Sequence, residues 1–468
     1  MIGPLRRHAI VVCLLLPAIG HAAPAQPPAI AGLYEELRIA IETEDVDALM
    51  AQFAPLMRLE ASLRGGWVNE LSTMFHQRDS VAAELRFDEV QVVGQRAFVL
   101  VTWAFSGKSA GTGEAWSETV QRADLLTQKG AGWQVFASDR VDQEALKAKV
   151  TDGQFVDPDS GLEVTAPPNW RVLPMAGARA CVAAFSPDLN ASLTWLVSDL
   201  PGTFTTEQLA RAQQDAMEKL APTLGIEFRD VESGTDTLAG RPAYRVSRTI
   251  VAQDGSEVYS DLTFCVVGST VYLCARTAMP PASYATYQDA LNRAVAAAKI
   301  VEVEAPELPP EAGRLEGRRY INDVQGCEIT APQGWTAKIG QGQFELQVTM
   351  YEPGGESSLM LGMIPLPAPE VTAEKAITGE DNLTSQVFED FKLVKRGETK
   401  VGDLPAYESI STFTFAGQKR QRHRVYLVDN DRLFFMFADA VPADKWTRLA
   451  PIFSETFQSF KLIEATAG

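Results

Sequence analysis

The spacing of apolar residues changes several times along this chain, and each change marks an element. Residues 9–16 (AIVVCLLL) form one unbroken apolar run. Over residues 33–53 apolar positions return every three or four residues, in LYEELRIAIETED and then VDALMAQFAP, which predicts two amphipathic helices. Residues 96–108 (RAFVLVTWAFSGK), 116–128 (WSETVQRADLLTQ) and 133–139 (WQVFASD) are rich in β-branched and aromatic residues, with a KGAG turn at 129–132. They predict long antiparallel strands. Helices followed by a strand meander make an α+β unit over 30–150.

The rest of the pattern occurs twice. GLEVTAPPNW at 161–170 returns as GCEITAPQGW at 326–335, GTDTLAGRPAY at 234–244 as GETKVGDLPAY at 397–407, and DLTFCVVGSTVYLCA at 261–275 as HRVYLVDNDRLFFMF at 423–437. The offsets are nearly equal and far longer than a solenoid period, which predicts duplication of a whole domain, at 153–303 and 314–465. Between the copies, 304–313 is a stiff Pro/Glu-rich linker. Each copy runs hairpin, strands, helix (205–220 in the first), more strands and a closing helix (284–298 and 445–460). Strands such as 192–197 and 425–428 are apolar on both faces, so each sheet is expected to be covered by helices on both sides.

Element order and the turn before GWQV make residues 30–149 resemble the SnoaL-like, nuclear-transport-factor-like cone fold. The PPNW and PQGW starts, the PAY segments and the closing hairpins make both repeats resemble the PsbP-like and DcrB-like sandwiches. The implied fold class is α+β: an N-terminal cone-like unit plus two repeated α/β/α sandwiches with mainly antiparallel sheets. The cone resemblance implies a curved sheet around its helices, on a scaffold that hosts isomerases and cyclases. The sandwich resemblance implies small non-catalytic binding or assembly modules, some relatives acting as chaperones, and a bacterial source.

Composition agrees with a folded chain of about three domains: 468 residues, 46% apolar and 22% charged. A formal net charge of −18 argues against nucleic acid as a partner, because phosphates need a basic face. Arg6, Arg7 and His8, the apolar run and the small-residue exit Gly20-His21-Ala22-Ala23 read as a signal peptide over 1–23, cleaved near Ala22/Ala23. The run is too short for a permanent span, and no later stretch is long enough. The expected location is therefore the periplasm or outside the cell, with no transmembrane anchor after cleavage.

Catalytic chemistry is hard to assemble. Only His76 and His423 remain beyond the signal peptide, neither with a second histidine or a cysteine at ligand spacing, so no metal site is expected. No catalytic or cofactor motif is present, and no cofactor is expected. Period two places Trp116, Glu118, Val120, Arg122 and Asp124 on one face of a strand. With His76, the residues Trp116, Glu118, Arg122 and Asp124 are candidates to line a ligand cavity, against the alternative of an exposed polar face. Arg420, Arg422 and Arg424 also share a face, as a basic stripe that is either a docking site for an acidic partner or anionic headgroup or the guard of an edge strand. The first copy has Val258, Ser260 and Leu262 there. Cys265 and Cys274 lie on two arms of one hairpin as diagonal neighbours, roughly 7 to 8 Å apart, at or beyond the reach of a disulfide. Their counterparts are Leu427 and Met436, and that of Cys327 is Leu162, which favours free thiols in the core.

The expected function is a non-catalytic envelope protein with three modules, binding or assembling with an unidentified protein or small ligand. A cavity-using ligand binder or enzyme is the alternative, and a toxin-immunity or chaperone-type protein a narrower one.

Overall fold

A computed structural model describes residues 27–54, 71, 74–75, 78–109, 113–176, 180–200, 204–268, 270–301, 312–340, 346–354, 356–366, 371–415, 417–430 and 432–465. The expected signal peptide, His76 and most of the linker lie outside these residues. The fold is mixed α and β, with mostly antiparallel sheets.

Helix α1 (Pro28–Glu42) begins on a proline, whose missing N–H is harmless in a first turn, and buries Ile30, Leu33, Tyr34, Leu37, Ala40 and Ile41 along one stripe. Asp45 caps α2 (Val46–Ala51) by accepting from the Ala48 N–H. Both helices pack on a sheet of β1 (Arg78–Val93), β2 (Arg96–Ser109), β3 (Ala115–Lys129) and β4 (Gly132–Arg140), paired in sequence order. One core joins Tyr34 and Leu37 to Phe87, Trp103, Val120 and Val135. Helix α3 (Gln143–Lys149) follows, capped by Asp142.

Beyond it stand two seven-stranded sheets. The first contains β5 (Arg171–Pro174), β6 (Ala180–Phe185), β7 (Ala191–Asp199), β8 (Ile226–Leu238), β9 (Arg241–Ala252), β10 (Glu257–Val267) and β11 (Thr270–Ala278), in the order β8-β9-β10-β11-β7-β6-β5. The second contains β12 (Thr336–Ile339), β13 (Leu346–Tyr351), β14 (Ser358–Pro365), β15 (Glu389–Val401), β16 (Leu404–Phe415), β17 (Gln418–Asp429) and β18 (Arg432–Ala440). Its order, β15-β16-β17-β18-β14-β13-β12, is the same.

Each sheet carries a helix on either face. In the first copy α4 (Thr206–Leu224) covers Tyr244, Val246 and Phe264, while α5 (Tyr284–Ala297) covers Cys265 and Cys274 from the other side. In the second, α6 (Ala373–Val387) covers Tyr426 and Phe435, and α7 (Trp446–Gln458) covers Val425, Leu427 and Met436. Thr205 opens α4 with a reciprocal capping box to Gln208, and Gly225 closes it at φ 64°.

The units touch in series. Phe98 and Ala123 of the four-stranded sheet share a core with Leu173, Ala183 and Phe185 of the first seven-stranded sheet and with Met175 just beyond β5. Arg171 lies 3.9 Å over the Phe98 ring and pairs with Glu89. Between the two repeats, the Phe204 and Phe415 rings meet edge to face at 5.8 Å, the Tyr351 hydroxyl donates to the Leu200 carbonyl at 2.9 Å, and Lys219 reaches Glu389.

Candidate functional site

Strand alternation on β3 is as the sequence suggests, and the face it defines points into the core of the first unit. It runs from half-exposed Trp116 and Glu118 to buried Val120, Arg122 and Asp124. Arg78 stacks 4.9 Å from the Trp116 ring, and Glu118 pairs with Arg140 at 3.0 Å. At the deep end the Tyr34 hydroxyl, brought in by α1, donates to Asp124 Oδ2 at 2.5 Å. Arg122 Nε donates to Ser138 Oγ at 2.8 Å and its Nη2 to the Ser138 carbonyl at 3.0 Å. Asp124 is fully buried, and desolvation pushes its carboxyl above the ordinary range despite the opposing pull of Arg122 and of the hydrogen bonds from Ser138 and Tyr34. Burial also raises the Tyr34 hydroxyl well above its usual value.

Four of the five proposed pocket residues thus share one face, and two of them, Arg122 and Asp124, form a buried polar group with Tyr34 and Ser138. The sequence pattern missed both partners. Ser138 was out of reach of period-two counting, because Leu125 pairs with Ala137 and Leu126 with Val135, and the extra residue turns Ser138 inward.

The arginine stripe needs correction. Arg420, Arg422 and Arg424 do point the same way, but that way is inward. β17 lies inside its sheet, between β16 and β18, so it is not an edge strand either. Arg424 is fully buried and donates to Asp381 Oδ1 at 2.6 Å and Thr384 Oγ1 at 2.7 Å, both on α6. Arg422 grips Asp439 with two hydrogen bonds of 2.6 and 2.7 Å. Arg420, 7% exposed, has its guanidinium 5.1 Å from both the Phe204 and the Phe415 ring. The stripe does dock, but within the chain: on α6, on Asp439, and on Phe204 of the preceding repeat.

No family model matches this sequence, and no curated protein matches it. Solved structures overlap it in parts. The solution structure of cyanobacterial PsbP from Synechocystis sp. PCC 6803 is 17% identical over 32% of this chain and 98% of its own, with a TM-score of 0.26. LpqN, involved in cell envelope biogenesis of Mycobacterium tuberculosis, is 10% identical over 29% and 83%, with a TM-score of 0.24. The immunity protein TplEi of T6SS from Pseudomonas aeruginosa, in its apo form, is 13% identical over 64% and 98%, with a TM-score of 0.22. NTF2-like structures are also among the neighbours. Overlap at this level transfers no function.

Equivalent positions of the two repeats hold ion pairs of opposite sense, under the closing helices. In the first, buried Asp261 accepts from Arg245 at 2.9 and 2.7 Å, from Arg276 at 2.8 Å and from the Tyr284 hydroxyl at 3.0 Å. In the second, Glu408 and His423 occupy the places of Arg245 and Asp261, with His423 Nε2 2.8 Å from Glu408 Oε2 and Lys395 on the other oxygen. The hydrogen bond from His423 and the Lys395 ammonium outweigh burial and pull Glu408 down to about 2.

The four described cysteines, Cys181, Cys265, Cys274 and Cys327, are free. Cys265 faces Tyr272 and Cys274 faces Thr263, and burial pushes the Cys274 thiol up to about 12. Among the described residues no group of three or more His, Cys, Asp or Glu side chains is placed to hold a metal, and no helix is long and apolar enough to cross a membrane.

Proposed function

We propose that this chain is a non-catalytic binding or assembly protein of the bacterial envelope, whose three units present surfaces to a partner. One observation carries the proposal: the buried carboxylates of both repeats are engaged with side-chain donors of the same chain. Asp261 is held by Arg245 and Arg276, Asp381 by Arg424, Asp439 by Arg422, and Glu408 by His423 and Lys395. A carboxylate whose oxygens are taken up by donors of its own chain serves geometry, so these repeats read as frameworks for recognition rather than for proton transfer.

A second reading has its own support. Asp124 is buried, raised and beside a tyrosine, which suits a small-ligand site or an acid–base group in the first unit. Affinity capture from envelope extract, run with the wild type and Asp124→Asn, separates the two. The binding-protein reading expects a stoichiometric partner retained equally by both. Retention of no partner, together with a small molecule that stabilises the wild type but not Asp124→Asn, would favour the second reading.

A further inference from the structure

The two repeats differ informatively in one row of side chains. On the face covered by α4, Arg248, Ser260, Thr277 and Ser192 lie directly opposite one another across β9, β10, β11 and β7. In the second copy the same row, beneath α6, is Ser411, Arg422, Asp439 and Ser358 across β16, β17, β18 and β14. Each row contains one arginine, but only the second contains a carboxylate. Asp439 holds Arg422 there with two short hydrogen bonds. Thr277 stands in that place in the first copy, its hydroxyl 2.5 Å from that of Ser192.

Arg248 therefore has no carboxylate partner within its row. It is 4% exposed and its buried Nε has no hydrogen-bond partner; Glu218 on α4, the carboxylate whose charge acts on it, forms no ion pair with it among the described residues. Its guanidinium lies 4.3 Å from the Phe228 ring. A ring face offsets part of the cost of burying a cation but supplies no acceptor for its N–H groups. An unpaired buried charge is the arrangement that proteins otherwise avoid.

The floor beside the row differs in the same sense. In the second copy Phe435 and Phe437 fill it, packed so closely that a Cβ on Gly362 would meet the Phe435 ring at 2.2 Å. The first copy has Leu273, Ala275 and Leu196 at these positions. Ser192, Thr194, Leu196, Leu273, Ala275 and Thr277 remain half-exposed, a strip lined partly by hydroxyls that ends at Arg248.

We propose that Arg248, Ser260 and Thr277 bind the carboxylate of a ligand from outside the chain, doing for it what Arg422 does for Asp439. The carboxylate belongs either to a small organic acid or to a peptide terminus, which the experiment distinguishes. The inference rests on the binding-protein reading and gives it a ligand class.

The test uses the mature full-length chain, with acetate, succinate and a short peptide offered both as its C-terminal acid and as its amide, all at matched ionic strength. Binding is read from the thermal shift and from the Arg248 side-chain N–H resonance. Wild type should bind at least one of the acids saturably, Arg248→Ala at least tenfold more weakly, with Arg248→Lys in between. Ser260→Asp, which supplies an internal carboxylate opposite Arg248, should raise the melting temperature and abolish binding. Discrimination of the peptide acid from its amide, with no response to acetate or succinate, assigns the ligand to a peptide terminus. Equal responses of wild type and Arg248→Ala to every acid, or an unmoved Arg248 resonance, overturn the site. A partner captured equally by wild type and Arg248→Ala would leave the binding-protein reading standing without it.

Discussion

Two buried acids carry opposite signatures in their response to pH. Asp124 is raised above its usual 3.8, so the fold disfavours its charged form, and stability falls as pH climbs past that value. Asparagine keeps the acceptor for Tyr34 and removes the charge. Asp124→Asn should therefore melt higher than wild type at neutral pH, with the gap closing below pH 3.8. Glu408, lowered from 4.5 to about 2, contributes stability that is present above 4.5 and lost as pH falls toward 2. Glu408→Gln should flatten the stability profile of urea unfolding across that interval, and an unchanged acid limb would refute the pairing. The alternation of β3 revealed Asp124 in the sequence, and the internal repeat marked the cysteine positions as core. What no single stretch disclosed is which distant side chain meets each of them. Asp381 reaches Arg424 from 43 residues away and Tyr34 reaches Asp124 from 90.

At the scale of elements, the apolar segment 425–428 marked only the end of β17, which begins at Gln418. The strands expected at 96–108, 116–128 and 133–139 were legible to within a residue at each end. β1 was not: its VAAELRFDEV segment suits a helix as well as a strand, and only pairing along β2 decides for the strand. The arginine row shows the same limit differently. Its period was right, but exposure depends on which helix packs above, and α6 lies far from it in sequence. Fully buried side chains anchor both closing helices, Leu291 in α5 and Leu449 and Phe453 in α7. Leu291→Ala and Phe453→Ala should each cost about 2–5 kcal/mol in urea unfolding, with the larger loss where the cavity collapses least. Thr205→Ala, which removes one end of the α4 capping box, should cost only about 1 kcal/mol.

At the scale of the whole molecule, two sheets with one strand order have acquired different interiors: aromatic and internally neutralised in the second copy, hydroxyl-lined with an unpaired arginine in the first. They meet at Arg420, whose guanidinium lies near both Phe204 and Phe415. A double-mutant cycle with Arg420→Ala and Phe204→Ala should give a coupling of about 0.5–2 kcal/mol in equilibrium unfolding. Strict additivity would mean that the contact holds nothing together. This contact also separates two kinds of continuity. The segment 304–313 joins the repeats covalently, whereas Phe204, Arg420, Tyr351 and Leu200 join them without it. A protease that nicked the chain in that segment would sever the peptide but not the pair, and the two fragments would still travel as one particle.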